Sequence, residues 1–309
     1  MADQRVYKQK IKATETLEKT FHAMEMIAAS RIGAARRRAS EADPYSRALT
    51  KAIAAVALNS DVDHPLTRPR TDTNRVAILA IASDRGLAGA YSSTILRETQ
   101  KLMEDLKEQG KEPVLFTSGR RAKSYFEFRD VPIEKSWEGD SDRPSSQTSY
   151  EIGETLLSYF LNPDPEVGVG ALDIVFTRFY TLMKLVPEIR QMLPLTVVDA
   201  PRDDDDEDGS ELGFGPDGEG LPEYEFLPDV RELLDTLLPL YVTNRITNAM
   251  LQAAASELAS RQQAMHTATD NAQDLIRDYK RLANQARQAE ITQEISEIVS
   301  GADALTSTR

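Results

Sequence analysis

The chain contains no cysteine in 309 residues. Disulfides and thiolate metal sites are therefore excluded, and the composition fits a reducing compartment. Histidine is scarce. His22, His64 and His266 stand alone, without the spacing of a zinc-binding helix. No run of eighteen apolar residues occurs, so no segment is suited to cross a bilayer as a helix. The stretch MADQRVYKQKIKATE at the amino terminus is charged and lacks the apolar core of a secretory signal. Basic residues are outnumbered, 37 Lys and Arg against 50 Asp and Glu. A nucleic-acid binder would want a net basic face. The length allows one large domain or two ordinary ones.

The net charge of -13 is concentrated in one place. Arg202 to Glu225 carries eleven acidic groups and one Arg, leaving only about -3 for everything else. Asp203 to Asp208 is an unbroken acidic run. A calcium loop needs its acids spaced around a turning glycine, so this run reads as a solvated loop. The segment 202–220 is too polar to bury the surface that would order it. A second loop, Asn162 to Gly170, holds two prolines and two glycines and is expected to be neither helix nor strand.

The two ends of the chain carry apolar stripes at steps of three and four. Near the amino terminus the stripe is Phe21, Met24, Ala28, Ile32, Ala35, Ala39 and Ala42. Near the carboxy terminus it is Met265, Ala268, Ala272, Leu275, Tyr279, Leu282, Ala286 and Ala289. Each marks one face of a long helix. Two such helices pack most simply as an antiparallel coiled coil, and the small seam residues bring their axes close. The first helix is expected over 1–59 with a kink or break near Pro44, the last over 228–309 with its first turns bent at Pro239. On this reading, truncating Leu275 or Leu282 would cost about 2–5 kcal/mol.

Between the helices the period changes. Val76–Ala82, Pro113–Thr117, Val131–Glu134 and Leu172–Thr177 are strand-like, and a last strand is expected near Leu193–Val198. Helical patterns lie between them at about 92–109, 119–128 and 146–161. Alternation of this kind predicts a Rossmann-like βαβ domain with a mostly parallel sheet, within 75–200. The fold class is thus α/β with a long terminal coiled coil, and 201–227 forms an acidic insert and foot.

Ser83–Tyr91 (SDRGLAGAY) follows the first strand. A glycine-bearing strand-to-helix turn can cradle a phosphate, but this one matches neither the dinucleotide fingerprint nor the P-loop, and reads as a tight turn. Arg31, Arg36, Arg37 and Arg38 spread around the first helix, as a solvated face or as contacts for an acidic partner. No catalytic constellation, metal cluster or cofactor motif stands out. Three readings remain at this level: a mechanical shaft, a nucleotide-binding enzyme using the SDRGLAG turn, and a coiled-coil scaffold.

Four motifs carry a resemblance that favours the first. KTFHAMEMIAASRI (Lys19–Ile32), SDRGLAGAY, FYTLMKLVPEIRQMLPL (Phe179–Leu195) and the segment Met265–Leu305, with ATDNA and ARQAEITQEISEIVSGA, resemble the gamma subunit of the bacterial rotary F-type ATP synthase. The resemblance covers nearly the whole chain. It implies a non-catalytic central rotor shaft without cofactor or metal. Such a shaft couples rotation of the membrane c ring to ATP synthesis, or to hydrolysis in reverse, at the beta subunits. Implied partners are the alpha and beta subunits, epsilon and the c ring; nucleic acid and direct membrane insertion are not implied. Implied location is the cytoplasmic face of the cell membrane, as a peripheral subunit. By position, Met24 matches a shaft residue facing the acidic lever of beta, with Arg31 and Arg36 nearby. Arg287, Gln288 and Thr292 match the region touching the catching loops and upper bearing of the ring. Arg261 matches a polar contact on the same helix, and Glu223 and Tyr224 fall in the foot that meets the c ring and epsilon. The loops 162–170 and 202–220 depart from the family pattern, and one of them is expected to regulate reverse rotation.

Overall fold

In the computed structural model, residues 2–59, 64–195 and 229–306 are described. The elements are α1 (Ala2–Asn59), β1 (Arg75–Ile81), α2 (Tyr91–Glu108), β2 (Glu112–Ser118), α3 (Arg120–Glu127), β3 (Lys135–Trp137), α4 (Ser146–Phe160), β4 (Ala171–Phe179), β5 (Leu185–Leu193) and α5 (Val230–Thr306). The chain divides into two compact units: Met1–Ser30 with Arg261–Arg309, and Arg31–Ser260.

In the unit Arg31–Ser260 the sheet order is β3-β2-β1-β4-β5. The first four strands run parallel and β5 antiparallel to β4. Six consecutive residues of β1, Val76–Ile81, are buried, because both faces of the sheet are covered. On one face Val76, Ile78 and Ala80 pack with Ile95, Met103 and Leu106 of α2 and Phe126 of α3. On the other, Ala77, Leu79 and Ile81 pack with Ile152, Leu156 and Phe160 of α4 and Leu238, Val242 and Ile246 of α5. Each large side chain so buried contributes about 1.5–3 kcal/mol. Local chemistry sets the boundaries: α4 starts at Ser145, whose Oγ accepts the Thr148 N–H at 3.1 Å.

Gly119 fixes the turn from β2 into α3. Its φ is +103°, and a Cβ there would lie 2.2 Å from the Ala82 carbonyl oxygen. Its N–H donates to the Trp137 carbonyl at 2.8 Å. The backbone thus passes between the ends of β1 and β3 with no room for a side chain.

The strands correct the sequence reading in two places. The residues 131–134 are not a strand. Val131 and Ile133 pack against the α2/α3 layer, the Glu134 N–H donates to the Leu115 carbonyl, and the ladder with β2 begins at Lys135. The last strand is β5 at Leu185–Leu193, a hairpin return from β4, while 196–198 lie outside the described residues. As an edge strand, β5 tolerates Pro187 and the charged residues Glu188 and Arg190. The loop Asn162–Gly170 is neither helix nor strand and is tied down. Arg70 donates to the carbonyls of Phe160 and Asn162, Arg75 to that of Glu166, and Thr73 to that of Pro165.

Helix α1 continues through Pro44 without a break. Just beyond it Asn244 Nδ2 donates to Ser46 Oγ at 2.7 Å and Leu49 is buried, so tertiary packing holds the helix past the lost hydrogen bond. Helix α5 likewise runs through Pro239, between buried Leu238 and Val242.

In the unit Met1–Ser30 with Arg261–Arg309 the two helices lie antiparallel. Glu25 meets His266 at 3.0 Å, Glu18 meets Gln273 at 3.3 Å, Glu15 meets Lys280 at 3.6 Å, and Lys10 lies 5.5 Å over the Tyr279 ring. Of the amino-terminal stripe, Phe21, Met24 and Ala28 lie in this unit, with Ala28 and, further out, Thr14 buried; Ile32 and Ala35 pack instead in the unit Arg31–Ser260. The carboxy-terminal stripe is half right. Met265 and Ala272 are buried, but their partners are Thr269, Ile276 and Ala283, not Ala268, Leu275 and Leu282. Leu275 is 47 % exposed and Ile276 is 9 % exposed. Adjacent apolar pairs, Leu275–Ile276 and Leu282–Ala283, fit either phase, and Thr269 enters the seam because its Oγ1 donates to its own helix at Met265 O.

Two predictions follow from this packing. Ile276→Ala should cost about 2–4 kcal/mol in urea unfolding, and Leu275→Ala less than about 1 kcal/mol; equal costs would return the seam to the other phase. Gly119→Ala should destabilise by at least about 1–3 kcal/mol, read the same way, through backbone strain.

Candidate partner-contact surfaces

Arg31 and Arg36 leave α1 on the side of the sheet's carboxyl edge. Arg31 Nη1 lies 2.5 Å from Asp142 Oδ2, in the segment after β3. The Arg36 guanidinium lies 5.6 Å over the Phe179 ring, at the end of β4. The structure therefore brings both to one edge of the unit Arg31–Ser260, where Arg85, Arg120, Arg121, Arg178 and Lys184 also lie at strand ends. The edge is of mixed charge: Arg120 pairs with Glu138, Arg31 with Asp142, and Arg178 lies 4.0 Å from Glu188.

Among the residues of the helix pair, Met24 is half-buried on the seam side and Arg261 is half-buried. Arg287, Gln288 and Thr292 are exposed. Gln288 and Thr292 are brought together one turn apart, Thr292 Oγ1 donating to the Gln288 carbonyl at 2.9 Å. Every residue from Ile291 to Val299 is exposed, including Ile291, Ile295 and Ile298 at helical spacing. Glu223 and Tyr224 lie outside the described residues.

The turn SDRGLAGAY is organised by a side chain that sequence reasoning passed over. One carboxylate oxygen of Asp84 accepts the Arg120 N–H at 3.0 Å; the other accepts the N–H groups of Gly139 and Ser141, each at 2.9 Å. Asp84 thus joins the loops that follow β1, β2 and β3. Its own N–H donates to Ser141 Oγ at 2.9 Å. The turn is completed by Leu87 and Gly89, both at positive φ, and by Ser260 of α5, whose hydroxyl donates to the Ala88 carbonyl at 2.8 Å. The backbone donors of the two neighbouring loops, at Arg120, Gly139 and Ser141, are thus occupied by a carboxylate, which gives this edge of the turn a structural role. An Asp directly after a buried strand, facing two glycine-bearing loops, was the available signal.

Burial, the largest influence on Asp84, pushes its carboxyl up. The N–H donors of Ser141, Arg120 and Gly139 together outweigh it, and the group lies below the ordinary carboxylate value. The histidines are structural. Buried His64 accepts the Leu66 N–H on Nδ1 at 3.0 Å, which places its proton on Nε2, 3.0 Å from Asp235. His22 and His266 both approach Glu25. Among the described residues no group of three His, Cys, Asp or Glu is placed to hold a metal, and no helix is long and apolar enough to cross a membrane.

A family model described as ATP synthase matches residues 3–305. The chain is 56 % identical over 302 residues to the ATP synthase gamma chain of Beutenbergia cavernae, covering 98 % of each. It is 49 % identical to that of Clavibacter michiganensis subsp. michiganensis, covering 100 % of this chain and 99 % of the other. Among solved structures, a chain of the Euglena gracilis mitochondrial ATP synthase, determined as OSCP/F1/c-ring in rotational state 3, superposes with a TM-score of 0.66 at 16 % identity, covering 98 % and 94 %. A chain of the Euglena gracilis rotor in rotational state 1 gives 0.61 at 14 %, covering 93 % and 98 %. The chain belongs to the ATP synthase gamma-chain family.

The Asp84 cluster sets a pH dependence. A carboxyl held low in the fold adds stability above its unfolded value of about 3.9, and that stability is lost as pH falls through the folded value. Asp84→Asn is expected to lower stability by about 1–2 kcal/mol at pH 7. The gap to the wild type should narrow below about pH 4. A gap unchanged between neutral and acid pH would remove the charge of Asp84 from this account.

Proposed function

We propose that this chain is the central rotor shaft of a proton-translocating ATP synthase, with no catalytic site of its own. The observation that carries the reading is the run Ile291–Val299, a helical stretch exposed on every side and still bearing an apolar stripe. Apolar stripes of this kind are covered in the working molecule. Family membership supplies the cover: the alpha and beta ring around the terminal helices, with Arg287, Gln288 and Thr292 at its catching loops and bearing, and Arg261 at a polar contact. Met24, Arg31 and Arg36 face the acidic lever of beta, and the exposure of Arg31 and Arg36 supports that assignment. The foot, with Glu223 and Tyr224, meets the c ring and epsilon. The chain then works at the cytoplasmic face of the cell membrane without inserting into it.

The mechanism is differential contact. Each orientation of the shaft favours one conformation of the beta subunit it faces, so turning shifts beta populations through binding, synthesis and release. Against the nucleotide-enzyme alternative, Asp84 places a carboxylate beside the SDRGLAG turn, where it takes the N–H groups of Arg120, Gly139 and Ser141 and would repel a phosphate.

The test uses the assembled complex purified through a tag on this chain. A single copy per alpha–beta ring, with the terminal helices inside it, is the expected image. In that complex Arg36→Glu and Arg287→Glu should each lower ATP-driven proton pumping per ATP hydrolysed by about two- to fivefold, the range an exposed ion pair supports. Nucleotide affinity at beta should be unchanged; its loss would contradict a purely mechanical role.

A further inference from the structure

At the end of β4 the chain reverses through Thr181–Lys184 into β5. The turn is closely bonded to itself. The N–H groups of Tyr180 and Thr181 donate to the Lys184 carbonyl at 3.2 Å, and the Lys184 N–H donates back to the Thr181 carbonyl at 3.2 Å. Thr181 Oγ1 accepts the N–H groups of Lys184 at 3.0 Å and Met183 at 3.3 Å. This ordered turn holds two large apolar side chains in water, Leu182 at 47 % exposure and Met183 at 83 %.

Scattered apolar side chains are ordinary on a surface. These two differ in their setting, a basic collar. Arg178 and Lys184 approach the Tyr180 ring at 4.9 and 4.6 Å, and Arg36 lies over Phe179. Glu188, the carboxylate paired nearby, is bonded by Arg190 and lies 4.0 Å from Arg178. Beside the collar a cavity of about 200 Å³ is lined by Arg36, Ala39, Ser40, Phe179, Tyr180 and Gln252, with room for roughly one side chain. The hairpin is anchored to α5, where the Phe179 N–H donates to Gln252 Oε1 at 3.3 Å and Ser256 Oγ donates to the Thr177 carbonyl at 3.0 Å.

We propose that the Leu182–Met183 tip is a docking knob for a neighbouring subunit of the assembly, whose counterpart is an apolar groove edged by carboxylates, one of them entering the cavity beside Arg36. The inference rests on the shaft reading and adds to it a contact made by the hairpin. A fixed turn lowers the ordering cost of binding, and an apolar anchor inside a polar rim is the usual anatomy of a strong contact. Met adapts its shape to the groove it enters. Lying over the Phe179 ring, the Arg36 guanidinium offers N–H donors suited to a carboxylate.

The experiment places a photocrosslinking amino acid at position 183 of the full chain and irradiates the intact purified complex. The expected product joins position 183 to one partner subunit, at a peptide carrying Asp or Glu beside apolar residues. Arg36→Glu in the same chain should lower its yield by about two- to fivefold. Three results overturn the inference while leaving the shaft reading in place: no adduct in the intact complex, an adduct with a second copy of this chain, or a yield indifferent to Arg36. Failure to recover the chain with the ring overturns the shaft reading, and this inference with it.

Discussion

Helix α5 has to satisfy two different environments along one continuous backbone, and the rest of the structure depends on how its sequence does so. From Leu234 to Ala259 it is a layer of the sheet domain, and its buried residues include Leu238, Val242, Ile246, Met250, Ala254 and Leu258 with many of their neighbours. From Met265 onward burial narrows to single residues, Met265, Thr269, Ala272, Ile276 and Ala283, which with half-buried Tyr279 recur at steps of three and four. A broad apolar face suits packing on a sheet; a narrow stripe suits one partner helix. The same backbone hydrogen bonds serve both, so only side-chain pattern changes along its length. Helix α1 follows the same logic, with Ala28 in the helix pair and Ile32 and Ala35 against Ala255, Leu258 and Ala259 in the larger unit.

Much of this was legible because strong periodicity leaves little choice. The continuous apolar run at Val76–Ala82 marks the central parallel strand, where both faces demand apolar residues, and Leu172–Thr177 is buried on both faces except at Asp173. What was illegible had one cause, ambiguity of phase or of edge. Leu275–Ile276 offers two apolar residues to one seam position, and only the partner helix selects between them. The residues Leu185–Leu193 sit at an edge, where Pro187, Glu188 and Arg190 are tolerated. Pattern alone therefore placed the last strand too late. Of the contact residues, Arg31 and Arg36 were readable as a cluster, but their anchoring to Asp142 and Phe179 is a tertiary fact that spacing does not carry.

The SDRGLAGAY turn illustrates how charge decides between readings that geometry leaves open. Backbone N–H groups converging after parallel strands could serve an anion. Here the anion is intramolecular. Asp84 satisfies donors from Arg120, Gly139 and Ser141, and a second negative charge placed there would meet both repulsion and a lack of partners. The carboxyl edge of the sheet, a frequent place for a ligand in α/β folds, is instead bridged by Asp84 and by the pairs Arg120–Glu138 and Arg31–Asp142.

The same physics separates what this chain can do alone from what it does in a complex. A helix in water without tertiary contacts is marginal, because nucleation is costly and propensity adds little. In the stretch Ile291–Val299 no side chain is buried, yet Ile291, Ile295 and Ile298 keep the spacing of a packed face. A sequence under no demand from a neighbour has no reason to keep three isoleucines in register on an open helix, where polar residues would serve solubility better. The stripe is therefore evidence for a surface supplied by another chain. A contact made of exposed apolar and polar groups acts on a neighbour only as far as it binds that neighbour's conformers differently.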